Sequence, residues 1–165
     1  MRYSLTFARY AGRRPVRADR SHPDPAQNHG PRVIVADTNL LVYLYVRGQR
    51  TAQAEAVLLH DPAWAAPLLW RSEFRNTLAG LVRRREIDLD DAVRISHDAE
   101  RRMVGAEFSV ASQEVLQLAM RSRCSAYDCE FVALALDLGV PFLTADRQVL
   151  RAFPSTAVSP ADFVE

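Results

Sequence analysis

The order of apolar and amphipathic stretches predicts an α/β fold on a parallel sheet, with helices on both faces. Short strand-like runs (RVIVA, WAAP, EFSV, PFLTA) recur between helical stretches of about ten to fifteen residues, the alternation that parallel sheets require. Two of those runs are followed at once by an acid, Asp37 and Asp146. Beyond the carboxyl ends of parallel strands, two such acids would share one crevice. The 165 residues, 48% hydrophobic and 25% charged, suit one domain with a real core.

The elements follow in order from Arg32. Val33, Ile34 and Val35 are β-branched and give a buried strand ending at Ala36. Thr38 is expected to cap the helix that runs to about Val46, and Gly48 to end it. Thr51 to His60, with Ala54, Val57 and Leu58 on one side, reads as a second helix. Trp64 to Pro67 is a short buried strand, with Pro67 opening the next helix, which carries Leu68, Leu69, Glu73, Phe74, Leu78, Leu81 and Val82 to Arg83, Arg84 and Arg85. Leu89 to Met103 has acids in its first turn and arginines in its last, the order a helix dipole prefers. EFSV is a short strand. Ser112 caps a helix to Arg123, and SAYDCEFVALALDLGV is a strongly apolar helix closed by Gly139. PFLTA, Pro141 to Ala145, is the late strand.

Residues 1–31 stand apart and read as a disordered basic extension. SHPDPAQNHGP offers almost nothing to bury. Six arginines face two acids there, a net of +4, whereas the other 134 residues carry 15 arginines and 18 acids, a net of −3. The domain proper, residues 32–165, is therefore mildly acidic, which argues against binding nucleic acid through charge alone. No apolar run reaches the roughly 18 residues of a membrane span, and no secretory h-region is visible. Cys124 and Cys129 do not form a C-x-x-C pair and read as semi-buried structural thiols, which fits a cytoplasmic protein better than a disulfide scaffold. All 21 basic residues are arginine, a sign of codon bias more than of function.

Two further acids sit in otherwise apolar helices. Glu73 lies among Leu68, Leu69, Phe74 and Leu78, and Asp128 opens the helix with Phe131, Val132 and Leu134. Taken singly, Asp37 and Asp146 could be mere helix caps, and Glu73 could pair with Arg71 or Arg75. Four carboxylates around one crevice would instead repel each other until a cation or protons neutralised them. Hard oxygen donors of this kind suit Mg²⁺ or Mn²⁺, and that equipment serves metal-assisted phosphodiester hydrolysis.

D-T-N after a strand, E-x-x-N in a helix (Glu73 to Asn76), Y-D-C-E-F-V-A-L-A at a helix start and F-L-T-A-D-R after a late strand resemble the four acidic motifs of the PIN-domain nucleases. Their order and spacing are most similar to the VapC toxins of VapBC toxin–antitoxin pairs, over about Arg32 to Phe163. The resemblance implies a PIN-like three-layer fold with a central parallel sheet of four or five short strands. It implies a metal-dependent endoribonuclease whose Asp37, Glu73, Asp128 and Asp146 hold Mg²⁺ or Mn²⁺. Thr38 and Asn39 match the polar residues beside the first acid, and Thr144 matches a hydroxyl that orients Asp37 or a water. Asn76, on the face of Glu73, and Arg147, beside Asp146, are expected to steady the site or meet substrate. RNA as substrate, a cognate antitoxin protein, a homodimer and a 5′-phosphate product are likewise implied.

Other residues read more plainly. Glu130 is expected at the surface facing away from Asp128, His97 and Asp98 in solvent, Arg83 to Arg85 as dipole complement, and Trp64 and Trp70 in the core or an interface. Three rival functions fit parts of the pattern. One is a catalytically inactive PIN-fold binding module, and another a housekeeping RNA-processing nuclease. A third, a phosphohydrolase with Asp37 as covalent nucleophile, would want an acid where Asn39 stands.

Overall fold

A computed structural model of the chain describes residues 33–165; the extension expected to be disordered lies outside the described residues. In chain order the elements are β1 (Val33–Ala36), α1 (Thr38–Tyr45), α2 (Thr51–His60), β2 (Ala63–Pro67), α3 (Trp70–Arg83), α4 (Leu89–Met103), β3 (Glu107–Phe108), α5 (Ser112–Arg121), α6 (Ala126–Leu138), β4 (Phe142–Leu143), α7 (Arg147–Ala152), β5 (Ala157–Val158) and α8 (Pro160–Val164). The strands form one parallel sheet in the order β3-β2-β1-β4-β5. Every residue of β1 is buried, as a central strand covered on both faces requires.

The helices fall into two groups around that sheet. In one, α1 packs on α2, α3 and α4, and α8 joins α2; in the other, α5 and α6 pack together and α6 lies across β1, β2 and β4. The core between them is built from Ile34, Val35, Leu40, Leu41, Trp70, Phe74, Val132 and Leu143, all nearly inaccessible. Phe131 of α6 stacks on Phe142 of β4 with ring centroids 5.5 Å apart, which ties the second group to the sheet beside β1. Trp64 and Trp70 are buried, as expected. Among the described residues no helix is long and apolar enough to cross a membrane.

Several boundaries differ from the sequence reading, each for a local reason. Asp37, not Thr38, caps α1: its side chain accepts from the Asn39 backbone N–H. Pro67 does not open a helix but ends β2, paired with Phe108; α3 begins at Trp70 after a turn through Leu68 and Leu69. Ser112 lies inside α5, whose cap residue Ala111 offers no side-chain acceptor. Beyond Asp146 the chain adds α7, the helix that a cap at Asp146 implies, and then β5 and α8, which the sequence reading left unassigned.

Candidate functional site

The strand order reverses beside β1. From β1 the chain builds outward through β2 to β3, then returns to lay β4 and β5 on the opposite side. Open α/β sheets take ligands at such a reversal, beyond the carboxyl ends of the two strands that flank it. Here those strands are β1 and β4, whose last residues Ala36 and Leu143 are direct partners. The Asp37 backbone N–H continues the ladder by donating to the Leu143 carbonyl at 3.0 Å. Asp37 and Thr144 thus leave the sheet side by side.

Thr144 uses that placement. Its buried hydroxyl donates to Asp37 Oδ2 at 2.5 Å and accepts from the Asp146 backbone N–H at 3.0 Å, so one residue links two acids. Asp37 Oδ1 accepts from the Asn39 N–H at 2.9 Å. Because Asp37 does the capping, Thr38 is released from it, and its buried hydroxyl reaches across to Glu73 Oε2 at 2.6 Å. Asp128 forms a capping box with Ser125: Oδ2 accepts from the Ser125 N–H at 3.0 Å and its hydroxyl at 2.7 Å, and the Asp128 N–H donates to Ser125 Oγ at 3.1 Å. Asp146 caps α7, with Oδ1 accepting from the Gln148 and Val149 N–H groups at 2.6 and 3.0 Å.

All four acids line a single crevice of about 270 Å³. Thr38, Asn39, Asn76 and Thr77 complete its polar wall, and Phe131, Phe142 and Val149 form its apolar part. The acids feel one another. Burial holds the Asp37 carboxyl above its ordinary value; the bonds from Thr144 and Asn39 oppose that rise, and the charges of Asp128 and Asp146 add to it. Burial likewise raises Glu73, against the bond from Thr38 and with help from Asp37, Asp128 and Glu130. Negative charge gathered in a half-buried space favours whatever neutralises it, proton or cation.

Most of the residues singled out from sequence meet here, with exceptions. Thr144 lies buried beneath the crevice and acts through Asp37 and Asp146. Arg147 is exposed at the start of α7 and does not line the crevice. Glu130 also stays out of it, yet it is half-buried, not a plain surface residue, and burial raises its carboxyl. The alternative pairing of Glu73 with arginine does not form: Arg71 binds Glu107 at 2.5 and 2.8 Å and Glu100 at 3.1 Å, while Arg75 donates to the Arg71 carbonyl. Cys124 and Cys129 are buried and burial raises both thiols. Two residues escaped the sequence reading, Thr77 and Ser125. The S-x-x-D spacing before Asp128 is a capping-box signal that could have disclosed the second.

The donor chemistry bears on a cation. Each acid except Asp37 has one carboxylate oxygen held by hydrogen bonds and one without any among the described residues: Glu73 Oε1, Asp128 Oδ1 and Asp146 Oδ2. No His or Cys lines the crevice, so the site offers oxygen only, the preference of Mg²⁺ and Mn²⁺. Among the described residues no three His, Cys, Asp or Glu side chains close into a ready cage. The carboxylates ring an open space, which suits an ion that keeps several of its waters.

Residues 34–154 match the family model described as the PIN domain. Ribonuclease VapC3 of Pyrobaculum aerophilum is 26% identical over 127 residues, which span 74% of this chain and 95% of that protein. Among solved structures, PAE2754 from Pyrobaculum aerophilum superposes with a TM-score of 0.65 at 19% identity, over 81% of this chain and 88% of that one. FitAcB from Neisseria gonorrhoeae superposes with a TM-score of 0.63 at 16% identity, over 78% of this chain and 98% of that one. At those identities the two structures speak for the fold.

Proposed function

The chain belongs to the PIN domain family, and from that premise we propose that it is a metal-dependent endoribonuclease, the toxin of a toxin–antitoxin pair. The observation that carries the reading is the convergence of Asp37, Glu73, Asp128 and Asp146, from four separate segments, on one crevice at the reversal of the sheet. The likeness to a protein named as a ribonuclease supports the reaction class. The likeness of the motifs to VapC toxins supports the biological role, with RNA as substrate, a small antitoxin protein as partner, a homodimer as the working unit and the cytoplasm as the place of action.

In this reading Asp37, Glu73, Asp128 and Asp146 hold Mg²⁺ or Mn²⁺. When bound, the cation activates water and draws charge from a phosphate oxygen. The chain's own residues prepare that chemistry. Thr144 fixes the Asp37 carboxylate and the Asp146 backbone relative to one another. Thr38 holds one oxygen of Glu73 and leaves the other toward the crevice. Asn76 and Thr77, on the wall one helical turn beyond Glu73, offer neutral polar groups to the RNA without adding negative charge. The stacked Phe131 and Phe142 exclude bulk water from one side of the crevice.

The test is direct. RNA cleavage is expected with Mg²⁺ or Mn²⁺, to stop with EDTA, and to fall by about 10²-fold or more in Asp37→Asn, the scale on which loss of one charge-stabilising group acts. Cleavage that survives both treatments would refute the assignment; a chain that never cleaves would point to the inactive binding module. Growth arrest on induced expression, relieved by a protein encoded next to this chain, separates a toxin from a housekeeping nuclease.

A further inference from the structure

Three of the four acids in the crevice take a proton-bearing hydroxyl on one oxygen: Asp37 from Thr144 at 2.5 Å, Glu73 from Thr38 at 2.6 Å and Asp128 from Ser125 at 2.7 Å. Asp146 takes backbone N–H groups instead. Two of the hydroxyls belong to residues expected from sequence to serve the site, and Ser125 does not. We infer that Ser125 is a positioning residue for the cation site, aiming Asp128 Oδ1 into the crevice, beyond its service as a helix cap. This rests on the nuclease reading above.

The geometry gives Ser125 that role. Both of its donors, the N–H and the hydroxyl, converge on the same oxygen, Asp128 Oδ2. The terminal torsion of an aspartate is broad, and its two oxygens exchange easily when nothing distinguishes them. Doubly occupied, Oδ2 is held toward the helix start, and Oδ1 is the oxygen left for a ligand. A hydrogen bond from a hydroxyl to a carboxylate is also short and strong. Without the hydroxyl, a single N–H remains on Oδ2, and the carboxylate turns more freely. Thr38 and Thr144 are buried inside the fold, whereas Ser125 is exposed three residues from its partner, so its hold on Asp128 is local to the start of α6.

The experiment must separate aiming from capping. Glycine is tolerated at a cap position nearly as well as serine but carries no hydroxyl. In the intact chain, Ser125→Gly is expected to melt close to the parent yet bind Mn²⁺ about tenfold more weakly by electron paramagnetic resonance, the scale of lost support to a metal ligand. The Mn²⁺ concentration for half-maximal cleavage of a single-stranded oligoribonucleotide should rise by the same factor, with KM for the RNA unchanged. Ser125→Thr, which keeps the hydroxyl, should restore both. Equal Mn²⁺ binding by parent and Ser125→Gly overturns the inference, as does a threonine variant that behaves like glycine. A parent that binds Mn²⁺ but cuts no RNA overturns the nuclease reading alone, and the Mn²⁺ titrations still decide the role of Ser125. A parent that takes up no Mn²⁺ overturns both.

Discussion

Asp37 sits half-buried at the end of a strand whose four residues are all buried, and two hydrogen bonds oppose the rise that burial imposes on its carboxyl. A carboxyl raised in the folded state is protonated more readily there than in the unfolded chain. Its contribution to stability is therefore complete below its ordinary value of 3.8 and is lost as pH climbs through the folded-state value. In the metal-free protein at neutral pH the ionised group is a liability. Asp37→Asn should melt higher than the parent without metal at pH 7, the gap should close on acidification, and added Mg²⁺ should stabilise the parent alone. Differential scanning calorimetry across pH checks this, and an Asp37→Asn that melts lower at pH 7 contradicts it. The identity of the four acids was legible because each stood where apolar neighbours made a charge costly. Their support was less so. Thr38 could cap or reach elsewhere, and only the fold, by giving the cap to Asp37, sends its hydroxyl to Glu73. Thr77 looked like any helical threonine: its i, i+4 spacing puts it on the face of Glu73, but only the fold shows that this face lines the crevice.

Helix ends show the same division between local and distant causes. α6 stops at Gly139 with φ 65°, and the Gly139 and Val140 N–H groups return to the Leu136 and Ala135 carbonyls. α3 stops in the same way, the Arg85 and Glu86 N–H groups returning to Val82 and Leu81, but the left-handed position is held by Arg85 at φ 58°. The motif is one and the residue is not: glycine takes that conformation freely, whereas a side chain there costs about 1 kcal/mol. Arg85→Gly should therefore stabilise the protein and Gly139→Ala destabilise it, each by about 1 kcal/mol in urea unfolding; changes of the same sign would refute the argument. Gly139 was legible as a stop, and Arg85 was not, because nothing in arginine signals a positive φ. β5 and α8 went unread for a related reason. Spans of two and five residues are too short to establish a period, and β5 exists only because β4 supplies its partners.

For the whole molecule the arrangement of charge decides how a polyanion can approach. The 134 residues from Arg32 onward carry a net of −3, and the four carboxylates of the crevice repel phosphate at the point where cleavage would occur. Several arginines are already committed, Arg71 to Glu100 and Glu107, Arg84 to Glu86, Arg94 to Asp91 and Arg101 to Asp98. Charge attraction alone would therefore give weak RNA binding at the crevice, and a cation held by the acids would offset much of that repulsion and offer a phosphate oxygen a ligand position. Two signatures separate this from a basic RNA-binding surface. With EDTA present, RNA affinity should be low and only shallowly dependent on salt, since few phosphates are neutralised by arginine. In Ca²⁺, chosen as a hard oxygen-seeking ion that differs from Mg²⁺ in size and preferred geometry, affinity should rise without matching cleavage, and Asp128→Asn should lose most of that gain. Fluorescence anisotropy with a labelled oligoribonucleotide in EDTA and in Ca²⁺ measures both. Tight, steeply salt-dependent binding in EDTA would mean that the RNA is gripped elsewhere on the chain. The crevice would then be the place where RNA is cut, and its capture would belong to another surface.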